Sequence, residues 1–160
     1  MKQSVIRAAR AALVPALAGA VALGGLTAWT ASGAAVRPPT VTVEDARVLL
    51  PFGGDDTAAF VRLRNTGDAD DELLGVDVPS ARGAMLSRTV TRRSASTMTM
   101  VASAPVPAGG TLEMSPHGLD IMVTAPPPLR VGERLPLVLR FRDSGTVRTE
   151  ALVVRPGTSG

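Results

Sequence analysis

The chain has 160 residues, 45% hydrophobic, 2% aromatic and 19% charged, with a formal net charge of +3 and no cysteine. That length supports one domain with a core of its own, and the missing cysteine excludes disulfide staples, thiolate metal ligands and thiol nucleophiles. Lys2, Arg7 and Arg10 carry the excess charge; without them 14 arginines face 14 acids, and with no tyrosine, one tryptophan and three phenylalanines a basic, base-stacking nucleic-acid surface is excluded.

The chain opens with that basic start. No residue from Ala11 to Thr30 is charged, and the small-residue stretch ASGAA follows. Basic start, apolar run and small-residue exit are the pattern of a secretory signal over residues 1–35, cut near Ala34 or Ala35. Twenty uncharged residues can also just cross a bilayer, so an uncleaved anchor over residues 11–30 is the alternative, and the only membrane association expected. In both readings the rest of the chain lies outside the cytoplasm, secreted, periplasmic or in the cell envelope. Residues 36–40 read as a linker, 41–154 as the folded domain and 155–160 as a loose tail.

The folded part reads as all-β, because short Val, Leu, Ile and Thr runs alternate with turn residues at sandwich-like spacing. Strand regions are expected at TVTVEDARVLL (residues 40–50), TAAFVRLRN (57–65), LLGVDV (73–78), AMLSRTV (84–90), TMTMVA (97–102), TLEM (111–114), LDIMV (119–123), LPLVLRF (135–141) and TVRTEALVV (146–154). GGDD, TGDADDE, VPAGG and RDSG supply turns between them. In the 57–65 strand Arg62 and Arg64 share the parity of Phe60; arginine is rarely buried unpaired, so Val61 and Leu63 are expected to face inward. No helical periodicity and no internal repeat follow the signal.

Several chemistries fail on their residues. The single histidine, His117, sits in a Pro-Gly turn and no G-x-S-x-G elbow exists, so a Ser-His-Asp hydrolase has no support. FGGDD has glycines but neither the lysine nor the helix of a phosphate cradle. Asp55, Asp56, Asp68, Asp70, Asp71 and Glu72 lack EF-hand spacing and read as solvated turn acids. No enzymatic activity is expected. The methionines Met85, Met98, Met100, Met114 and Met122 have two readings: core filling, or donors to a soft metal. Met98 and Met100 share a strand face, as do Asp120 and Met122.

The segments DARV, TAAFVRLRNTGDADDELLGVDVPSARG, VPAGGTLEMSPHGLDIMV and PLRVGERLPLVLRFRDSGTV resemble the periplasmic copper chaperone family PCuAC over residues 41–154. The resemblance implies a cupredoxin-like or immunoglobulin-like antiparallel β-sandwich. It also implies copper(I) carriage outside the cytoplasmic membrane, with a copper-receiving component of cytochrome oxidase assembly as partner. The family's ligands run His, ten residues, Met, twenty-one residues, His, one residue, Met. Here the same register falls on Ser87, Met98, Asp120 and Met122. Both methionine positions match, and both imidazoles are replaced.

Copper(I) prefers thioether, imidazole and thiolate; a carboxylate is a hard donor, and a hydroxyl is neutral. Copper(I) binding is therefore expected to be weak or absent. Met100 is a candidate third sulfur, and His117 a candidate imidazole if its turn folds back over Met122. The alternative function is a β-sandwich binding or scaffold domain that has lost the metal.

Overall fold

The computed structural model describes residues 18–29, 36–52, 56–92 and 95–157. The chain divides into two compact units, one ending at Val36 and the other beginning at Arg37. Within the first, residues 18–29 form a helix. Among the described residues no helix is long and apolar enough to cross a membrane. Most of the expected signal, residues 1–17 and 30–35, lies outside the described residues, as do the GGD of the first expected turn and the last three residues of the tail.

The second unit is all-β. Its strands are β1 (Val41–Leu49), β2 (Asp56–Asn65), β3 (Asp71–Asp77), β4 (Gly83–Arg92), β5 (Ala95–Met100), β6 (Ala104–Val106), β7 (Thr111–Glu113), β8 (Leu119–Thr124), β9 (Arg134–Phe141) and β10 (Thr146–Val154). They hydrogen-bond in the order β5-β4-β8-β2-β1-β10-β9-β3-β6, with β7 also beside β2. β3 and β4 lie near opposite ends of that order yet touch, so the ladder curls into two facing layers. Every pair is antiparallel except β1 with β10, which is parallel.

Alternation builds the core. Leu135, Leu137, Leu139 and Phe141 of β9 point inward, as do Leu119, Ile121 and Val123 of β8. On β2, Val61 and Leu63 are buried while Arg62 and Arg64 are exposed, as the parity argument expects. Phe60 is buried as well, although it shares the arginines' parity. Strand β6 was not expected from sequence; its three residues carry a proline and pair only with β3 at the sheet edge, where proline is tolerated.

Two sequence expectations need correcting. The stretch read as a linker is pinned at Arg37 to Thr40. Arg37 pairs with Asp68, and the amide of Thr40 donates to the side chain of Asn65 at 3.1 Å. Asn65 is fully buried; its Oδ1 also accepts from Gly67, and its Nδ2 donates to the carbonyls of Ala69 and Val106. Pro38 packs so closely on Gly67 that a Cβ there would overlap it.

The second correction is Asp71, which is buried rather than solvated. Its carboxylate accepts from the amides of Asp143 and Ser144 at 3.0 and 2.9 Å, capping the turn between β9 and β10. Buried carboxylates need such partners, and backbone amides of a distant turn supply them here.

Candidate functional site

Because Leu119, Ile121 and Val123 of β8 face the core, Asp120 and Met122 face the opposite side of the sheet. The neighbouring strand β4 runs antiparallel, with Met85 opposite Met122 and Ser87 opposite Asp120. Beyond it, edge strand β5 places Met100 opposite Ser87 and Met98 opposite Thr89. Directly opposed residues share a face, so Met85, Ser87, Met98, Met100, Asp120 and Met122 all lie on one outer surface.

Met98, Asp120 and Met122 line one pocket of ≈ 220 Å³, with Asp56, Thr57 and Ala58 of β2 forming its other wall. Asp56 is committed elsewhere in part, since its Oδ1 accepts from the amide of Ala125 at 3.2 Å. The Ser87 hydroxyl donates to Oδ1 of Asp120, so these two side chains satisfy each other. Both are buried, at 2% and 3% exposure, although they face outward from the core.

The remaining candidates separate. Met100, on edge strand β5, is 72% exposed and is not among the residues lining the pocket. His117 is exposed in a tight turn closed by the Gly118 amide donating to the Ser115 carbonyl at 3.0 Å, and it is not among the residues lining the pocket. Met114 is the one methionine of the β unit that fills the core. Sequence spacing missed the β2 wall of the pocket, Asp56, Thr57 and Ala58. Met85, two residues before Ser87, shares the strand face but lines a different pocket, with Val76 and Arg140.

Electrostatics distinguish Asp120 from the exposed acids. Burial pushes its carboxyl above the usual carboxylate range, and the hydrogen bond from Ser87 partly offsets the rise. A raised folded-state value contributes stability that is complete below the ordinary carboxylate range and lost as pH rises through the raised value. Asp120→Asn keeps an acceptor for Ser87 and cannot ionise. It is expected to be more stable than the parent near neutral pH and to lose that advantage on acidification. Urea denaturation from about pH 3 to pH 8 measures this; a lower midpoint for the variant at neutral pH contradicts it.

The donor set suits soft metals only in part. Thioethers of Met98 and Met122 fit copper(I), whereas the carboxyl of Asp120 is hard and already engaged by Ser87. Among the described residues no three His, Asp or Glu side chains gather where they could hold a metal ion.

Comparison with known proteins places this site in context. Residues 41–153 match the family model described as "Putative lipoprotein LpqE-like". A relative from Leifsonia xyli subsp. xyli, "Putative lipoprotein Lxx21020", is 36% identical over 96 residues, which is 59% of this chain and only 58% of that protein. The solution structure of CuI-DR1885 from Deinococcus radiodurans is 32% identical, covering 78% of this chain and 84% of the other, with a TM-score of 0.60. The copper-bound PCuAC domain from PmoF2 shares the fold at 20% identity and a TM-score of 0.61, covering 76% of this chain and 97% of that domain. With the family model spanning nearly the whole β unit and the β-sandwich fold shared with solved PCuAC domains, the chain belongs to the LpqE-like family of PCuAC β-sandwich domains.

Proposed function

We propose that this protein is an exported copper(I)-binding protein of the chaperone type, with a weakened site. The observation that carries the reading is the meeting of Met98 and Met122, distant in sequence, in one pocket on the outer sheet face. Its family membership and its likeness to a relative solved in a copper(I) form support it. The weakening is argued from chemistry, because the two positions that would carry imidazoles are a hydroxyl and a carboxyl bonded to each other. That closed pair also favours a second reading, a binding or scaffold domain that no longer holds metal.

Export rests on the basic start, the uncharged run and the lipoprotein relatives. This chain has no cysteine to carry a lipid thioether, so any retention at a membrane falls to residues 11–30. The partner that follows from this reading is a copper-receiving component of cytochrome oxidase assembly. No enzymatic role is proposed.

The test is titration of the full chain with copper(I) against a competing chelator. Weak, one-to-one binding is expected, and Met122→Ala is expected to abolish it. Binding that survives Met122→Ala unchanged would sink the site assignment; no binding by the parent would leave the scaffold reading.

A further inference from the structure

We propose that edge strand β5 pairs with β5 of a second copy of this chain, joining two sandwiches through one continuous antiparallel sheet. β5 ends the hydrogen-bonded order, and among the described residues no strand lies beyond it. Sheet edges that stay monomeric are blunted by charges, prolines, bulges or short length. The other end of the order is blunted in this way, since β6 has three residues and carries Pro105. β5 has none of these devices. Its six residues, ASTMTM, include no charge and no proline, and its register against β4 runs from Arg92 to Ser87 without a bulge. Every residue from Ser96 to Met100 is exposed.

The ladder fixes which backbone groups face outward. In an antiparallel pair, residues alternate between exchanging hydrogen bonds with the partner strand and pointing their N–H and C=O away from it. The Val101 amide donates to the Leu86 carbonyl at 3.0 Å, so Thr99, two residues back, also bonds to β4, and Met98 and Met100 point their amides and carbonyls outward. Thr89, opposite Met98, directs its amide to the Gly118 carbonyl at 2.9 Å, in keeping with that alternation. A two-fold axis at Thr99 sets Met98 of each copy against Met100 of the other. Four hydrogen bonds then form, and each outward amide of these residues meets an outward carbonyl. Thr99 meets its own copy in the close, unbonded position, where a threonine pair is favourable, and no like charges oppose each other along β5. The strand is thus complementary to itself, which makes a second copy the occupant. The contact is short, so the dimer is weak, and a ligand approaching along this edge finds it open in the monomer. Pairing needs no metal and stands apart from the copper reading.

The chain lacks cysteine, so one introduced thiol reports the register. In the full chain under mild oxidation at about 100 μM protein, Thr99→Cys is expected to form a disulfide-linked dimer, because the Cα atoms of an unbonded antiparallel pair stand about 4.5 Å apart. Thr97→Cys, displaced about 14 Å along the strand from its own copy in that register, is expected to stay monomeric. Adding Met100→Pro to Thr99→Cys removes one outward amide per copy and spares the ladder to β4, so the cross-linking rate is expected to fall about tenfold. If Thr97→Cys cross-links as fast as Thr99→Cys, or if Met100→Pro leaves the rate unchanged, association runs through another surface and the proposal is overturned. A Thr99→Cys chain that stays monomeric overturns it too, and leaves β5 to a strand of another protein.

Discussion

Replacing Ser87 and Asp120 together by histidine is expected to raise copper(I) affinity by about two orders of magnitude or more, at roughly tenfold per added borderline donor. The two residues are directly opposed on β4 and β8, and they already touch through a hydrogen bond. Two imidazoles placed there would face each other across the strand pair. Met122 lies two residues beyond Asp120 on the same face, and Met98 lines the same pocket. Four soft or borderline donors would then enclose the position where the parent offers two sulfurs, a hydroxyl and a hard carboxyl. Competition against a copper(I) chelator measures the change, with each single histidine variant falling between parent and double variant. A parent that already matches the double variant shows that the site was never weakened.

The second large effect is on stability and separates the two faces of β8. Ile121 is fully buried in the core, between Asp120 and Met122 in sequence. Ile121→Ala is expected to cost about 2–5 kcal/mol, through lost burial and the cavity left behind. Met122, only half-buried on the other face, should cost about 1 kcal/mol when cut to alanine. The two variants therefore cross over: one loses stability and, where still folded, binds metal, and the other keeps its fold and binds none. Urea midpoints together with copper(I) titration read both quantities. Equal losses of stability would contradict the alternation on which the site is built.

Much of this arrangement was legible in sequence, for identifiable reasons. Period-two patterning marked β2, β8 and β9, since each has one face on a core that only apolar side chains can fill. The spacing that carried the family resemblance runs over Ser87, Met98, Asp120 and Met122; in the structure Ser87 bonds to Asp120, and Met98, Asp120 and Met122 line one pocket. The β2 wall of the pocket, Asp56 to Ala58, lay outside that spacing and was missed. Asp71 resembled its solvated neighbours in the acidic turn; its burial depends on amides at Asp143 and Ser144, a pairing that no local pattern encodes. The parallel β1–β10 contact was equally hidden, because strand direction leaves no trace in alternation. Phe60 is buried against its own parity for reasons the structure does not explain.

The sulfur-bearing face has a consequence for how cargo would leave it. A site built on imidazoles weakens as acid protonates them, so its load depends on the acidity of the compartment. Thioether sulfur takes up no proton under those conditions, and the one histidine of this chain stands apart in an exposed turn. Acidification would not strip the sulfurs of their lone pairs as it strips an imidazole. Release would have to come from a receiver presenting better donors at the exposed edge of the sheet, where β5 holds Met98 and Met100 open to an incoming ligand. Transfer would then be a ligand exchange between two proteins in contact, governed by their relative affinities.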